Sequence, residues 1–328
     1  MKAKIGLLVI GLLLLGFTAW AQDTQTPSIT LTPLEEVLQI FYEGDIVVVE
    51  YNETGRTTLE WIIEVFKNEL GVPESLNEES ETNVSDFEVA LDQKDLINKL
   101  SQTYYTLANS FLAGEPNEEE MYVRGKHWGL KSLRMSPEFA QVEQESDFAA
   151  AVEQENDYAA LYWANSNWLR VSQFNKLAAV FAGAAAKSEV ILMRCLEIKP
   201  EYMAYGPYRS LGAFWGGLPK LPAGHHRKNF EKARAYLCRV VNEPVICEDC
   251  EICEGCVEYY PADEYCDEYL ENRTFFAEFY LIEMGAWEEA KKVLESVLAD
   301  PIGDKYPFYN ALSQENAREL LLEVEKHL

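Results

Sequence analysis

Histidine is scarce in this 328-residue chain, which has only His127, His225, His226 and His327. None stands at a spacing that suits a metal site or a nucleophile–base pair. The G-x-S-x-G elbow, the H-E-x-x-H helix and the phosphate-cradling glycine loop are missing as well. Hydrolases and nucleotide-using enzymes built on those motifs are therefore excluded, and no catalytic residue is expected. Basic residues are the second shortage: 28 Lys and Arg against 55 Asp and Glu leave a net charge of −27. Such a surface repels nucleic acid and anionic lipid, so neither is expected as a partner. Beyond the first twenty or so residues no stretch is apolar enough to cross a bilayer. Cysteine is absent near the N-terminus, which gives no support to a lipid anchor there.

What is present begins with an export signal. Lys2 and Lys4 precede an almost purely apolar run over 5–17, and Ala19-Trp20-Ala21 fits a small-x-small cleavage site. Residues 1–21 are therefore expected to be a signal peptide cleaved near Ala21, with the mature protein secreted or periplasmic. The polar stretch 22–33, with two prolines, reads as a flexible leader. In 34–95, a mixed segment, 34–42 has helical spacing. The β-branched run 45–51 reads as a strand or a buried linker. Leu59, Ile62, Ile63, Phe66 and Leu70 make 57–70 an amphipathic helix that Gly71 and Pro73 end, and 73–86 reads as an acidic loop.

From residue 96 to the C-terminus the apolar period is helical, and helices tend to end at a proline. The pairs 100–112 with 118–133 and 158–170 with 177–196 run to Pro137 and Pro200. Helix 230–241 runs to Pro244, and 275–285 with 287–298 to Pro301. A proline just past a helix stops the next turn. Phe276-Ala277-Glu278-Phe279-Tyr280, then Gly285-Ala286-Trp287 and Ala290, resembles a tetratricopeptide unit. The expected fold is all-α, a degenerate tetratricopeptide-like repeat array (an α-solenoid). It carries a cysteine-rich insertion over 245–268.

That insertion holds Cys247, Cys250, Cys253 and Cys256 in three C-x-x-C steps, followed by Cys266. Thiols so placed could wrap a zinc ion or an iron–sulfur cluster. In an exported chain disulfides are the plainer outcome. Free thiols are the third possibility, and no cofactor is expected outright.

The densest information lies in 205–219. It holds four aromatics and four glycines, one Arg and no acid. Tyr205 and Arg209, and Trp163 and Asn167, are four apart and would share helix faces. Tyr162, Trp163, Tyr205, Tyr208 and Trp215 could equally pack helices together as core. Arg209 stands out because a lone cation among Gly, Tyr and Trp needs an anion from the chain or from a ligand. The expectation is an apolar cavity bordered by these residues, anchored by Arg209, with Asn165 or Asn167 adding hydrogen bonds.

The order of these motifs carries a resemblance. Asp157-Tyr158-Ala159-Ala160-Leu161-Tyr162-Trp163, then Tyr205-Gly206-Pro207-Tyr208-Arg209, Leu218-Pro219 and Phe230-Glu231-Lys232-Ala233-Arg234 resemble the T component of TRAP transporters. The resemblance implies a non-enzymatic, exported helical-repeat protein that associates with the substrate-binding P component of such a transporter. It also implies an apolar or carboxylated ligand and self-association as a homo-oligomer. The alternative is a protein-interaction scaffold whose cysteine cluster holds a metal or disulfides and which has no transport role.

Overall fold

The computed structural model describes residues 31–220, 226–241 and 268–328. The expected signal peptide, Cys247, Cys250, Cys253, Cys256, Cys266 and the terminator Pro244 lie outside the described residues. The described part is all-α, with fifteen α-helices and a single two-stranded hairpin.

Helix α1 (Pro33–Leu38) is opened by Thr32 and Glu35, whose side chains satisfy each other's backbone N–H groups in a capping box. Strands β1 (Phe41–Tyr42) and β2 (Ile46–Val47) pair antiparallel. The strand reading of 45–51 thus shrinks to Ile46 and Val47, both buried. Helix α2 (Glu53–Glu69) starts where Asn52 accepts the Gly55 N–H, and Leu59, Ile62, Ile63 and Phe66 are buried as the pattern requires. The stretch expected to be loop contains a helix, α3 (Glu81–Asp86), because Ser80 caps it by accepting the Asn83 N–H.

Just before α3, Glu78 is buried. Its carboxylate accepts from the Tyr104 hydroxyl and the Trp128 indole, each at 2.7 Å, and pairs with Lys67 at 3.0 Å. One carboxylate therefore ties the 71–80 connection to α2, α4 (Lys94–Phe111) and α5 (Glu118–Met135).

Helices α4, α5 and α8 (Tyr158–Phe174) form the tightest stack. Small residues permit it: a Cβ added to Gly129 of α5 would lie 2.6 Å from the Ala164 Cα of α8. Between α5 and α8 run α6 (Pro137–Glu145) and α7 (Phe148–Gln154). Pro137 does more than follow α5, since it is also the first residue of α6, where its missing N–H costs nothing.

The expected helix 177–196 is broken in two. Gly183, at φ 64°, ends α9 (Lys176–Phe181) and starts α10 (Ala184–Ile198). Leu177 and Phe181 on α9 are exposed, at 75% and 90%. Helix α11 (Tyr202–Gly217) and α12 (Phe230–Leu237) follow. The expected helix 275–285 is present but begins earlier and changes type: α13 (Glu271–Phe276) runs into a π-helical turn, Ala277–Ile282. A close approach accompanies the π turn, because a Cβ on Gly216 of α11 would collide with the Phe279 carbonyl. Helices α14 (Trp287–Ala299) and α15 (Pro307–Val324) complete the chain.

One apolar core runs from Val37 to Tyr309, and a second joins Leu237 and α13 to α14 and α15. Among the described residues, no helix is long and apolar enough to cross a membrane.

Candidate functional site

A cavity of about 730 Å³ lies between α4, α8 and α9 on one side and α11, α13 and the π turn on the other. That is the size of a small-molecule chamber. Tyr105, Tyr162, Leu169, Phe214, Phe275 and Phe279 give it a mostly apolar lining.

Tyr162, Trp163 and Arg209 line this chamber, whereas Asn165, Asn167, Tyr205, Tyr208 and Trp215 do not. The Trp163 indole donates to the Tyr202 hydroxyl at 2.9 Å, and burial pushes the Tyr162 phenol up to about 12. Asn167 is a fastener between helices: its amide donates to the Ser101 carbonyl at 3.1 Å and to the Trp163 carbonyl at 2.9 Å. Asn165 is buried, and its amide oxygen and nitrogen make no hydrogen bond. Trp215 stacks on His226 at 5.8 Å and carries the Lys232 ammonium 3.6 Å over its ring. Tyr205 packs in a small cluster with Val240 and Tyr208.

Tyr205 and Arg209 do not share a regular helix face. Met203, Ala204 and Tyr205 sit in the left-handed region, at φ 50°, 52° and 64°. Pro207 leaves this turn one donor short. It has no N–H to return to the carbonyl four residues earlier, that of Met203. Arg209 supplies the missing donors. Its guanidinium reaches the Met203 and Ala204 carbonyls, each at 3.2 Å, and the Asn272 side-chain oxygen at 2.8 Å. Its Nε pairs with Glu271 at 2.8 Å. Arg209 is 3% exposed. Burial works against its charge, but Glu271 and the surrounding phenols outweigh burial and hold its pKa above the ordinary value. The anion that this arginine needs comes from the chain itself.

The cation that reasoning from sequence passed over is Arg170, at the far end of α8. It lines the chamber half-buried, with its guanidinium hydrogen-bonded to the side-chain oxygens of Asn109 and Gln173. Both partners are neutral, and no carboxylate among the described residues lies within ion-pair distance of it. Glu278 on the π turn is close enough to feel its charge. Burial raises the Glu278 carboxyl to about 7; Arg170 pulls it down, and Glu271 and Glu283 push it up. A signal for Arg170 was available: Trp163, Ser166 and Arg170 fall at i, i+3 and i+7, one stripe of a helix, and all three line the chamber.

The remaining basic side chains of the lining are paired or solvated. Lys228 pairs with Glu283, and His226 with Glu189 at 2.8 Å. Lys176 and Lys220 are exposed at the rim. Of the two cysteines described, Cys195 is free and buried, and burial pushes its thiol up, away from the reactive thiolate.

Fold and cavity together define a class: among the described residues, a helical protein with a mostly apolar chamber of small-molecule size. Residues 89–243 match the family model of the TRAP transporter T-component, the family that the motif order resembles. The matched span runs from just before α4 to just past α12 and so contains one wall of the chamber and α11 of the other. No curated protein matches the chain.

Proposed function

We propose that this chain is the periplasmic accessory component of a TRAP-type solute transport system. It holds an apolar or carboxylated small molecule in the central chamber and works with the transporter's substrate-binding P component. The observation that carries this reading is the coincidence of the family match with the helices lining the chamber. The segment 1–21 fits the same reading as an export signal, and the packing of small residues between α5 and α8 suits degenerate tetratricopeptide-like pairs. A concave stack of helix pairs presents one surface to a partner and another to a ligand.

The test is affinity purification of the tagged full-length protein from periplasmic extract, followed by mass spectrometry. Recovery of a TRAP substrate-binding protein at near-stoichiometric level is the expected result. Recovery of the tagged chain alone, under conditions that preserve other periplasmic complexes, would overturn the partner assignment.

A further inference from the structure

We propose that Arg170 receives the anionic end of the ligand, so that the chamber selects an amphipathic monoanion over a neutral molecule of the same shape. This rests on the ligand-binding reading above and deepens it.

Selection by charge follows from elimination within the lining. Arg209 is neutralised by Glu271 and occupied by backbone carbonyls, Lys228 is neutralised by Glu283, and His226 is held by Glu189. Lys176 and Lys220 stand in water at the rim, where screening makes a charge pair weak. Arg170 alone combines partial burial with neutral partners. Asn109 and Gln173 orient its fork without supplying negative charge. A carboxylate completes such a fork through charge-assisted bonds about twice as strong as neutral ones. The surfaces beside it, from Leu169, Phe275 and Phe279, suit a hydrocarbon tail.

The experiment compares decanoate with decanol on the full-length protein by calorimetry at pH 6, 7 and 8, with helicity checked by circular dichroism. Decanoate stays ionised over this range, since carboxyls ordinarily titrate at roughly 4. Decanoate should bind at least about tenfold more tightly than decanol at pH 6, the scale of one charge-assisted pair. Arg170→Met should bring the two within about twofold by lowering decanoate affinity alone. Arg170→Lys, which keeps the charge and is the least disruptive change, should retain part of the preference. Equal binding of decanoate and decanol by the parent leaves the chamber standing and overturns the anchor. A preference that survives Arg170→Met overturns it as well. If neither probe binds, the ligand-binding reading falls, and this inference with it.

Discussion

The two walls of the chamber use arginine in opposite ways. Arg170 sits near the end of a regular seventeen-residue helix, whose backbone makes no demand on it, and its partners are neutral. Arg209 sits just past a left-handed turn of three non-glycine residues; it bonds two of their carbonyls and neutralises Glu271. An arginine that must repair its own backbone has nothing left for a ligand. Regular structure on the α8 wall leaves its cation free to act. The π turn opposite belongs with the irregular wall, and such bulges recur at functional sites.

The sharpest way to break this comparison is Arg209→Leu. It strands Glu271 beside a buried site and takes both guanidinium donors from the Met203 carbonyl, while the Ala204 carbonyl keeps the Asn272 amide at 3.3 Å. Removing one partner of a buried pair costs about 3–5 kcal/mol. Urea unfolding should show that loss, and a shift below about 1 kcal/mol would mean that the turn does not depend on the guanidinium.

A pair of alanine substitutions tests the strain directly. Ala164 is buried in regular α8, and Ala204 is buried in the left-handed turn. Ala164→Gly should cost about 2 kcal/mol, through helix propensity and a lost buried methyl. Ala204→Gly loses the same methyl but relieves a left-handed conformation worth about 1–2 kcal/mol, so its stability should change by less than about 0.5 kcal/mol. Equal losses at both positions would sink the claim that the turn is strained.

On the irregular wall, Glu278 of the π turn makes stability depend on pH. Its carboxyl binds a proton more readily in the fold, at about 7, than at the ordinary 4.5. The cost of ionising it is absent below pH 4.5, grows as pH rises to about 7, and is complete above that. Stability from this group therefore falls with rising pH, by at most about 1.4 kcal/mol per pH unit. The stability difference between Glu278→Gln and the parent should widen in favour of the variant from pH 5 to 8. A constant difference would show that Glu278 titrates normally.

The smallest expected effect is at Arg170. At pH 5, where Glu278 is protonated, Arg170→Met breaks hydrogen bonds to neutral groups and no ion pair, so unfolding should shift by less than about 1 kcal/mol. A loss as large as that of Arg209→Leu would erase the distinction between the walls.

Much of the helical architecture is legible without coordinates. The apolar stripe from Leu59 to Phe66 is buried, and Gly71 follows α2 at φ 71°. Pro200 and Pro301 follow the ends of α10 and α14. The local exceptions are less legible. Ser80 starts a helix inside an acidic stretch that reads as loop, and Gly183 splits one apparent helix into two. Each depends on a single backbone conformation, which periodicity averages away. At the site, Tyr162, Trp163 and Arg209 are singled out by residue type, but type does not say whether a charge is already paired.

The sequence by itself determines the helical class, the acidic charge balance and the T-component motif order, because each is a property of composition or of neighbours along the chain. Only the tertiary structure decides which arginine is spent and which is available. Glu271 lies 62 positions from Arg209, and Asn109 lies 61 from Arg170. Electrostatic pairing depends on distance in space, and that distance is set by how α8, α11 and α13 pack around one chamber.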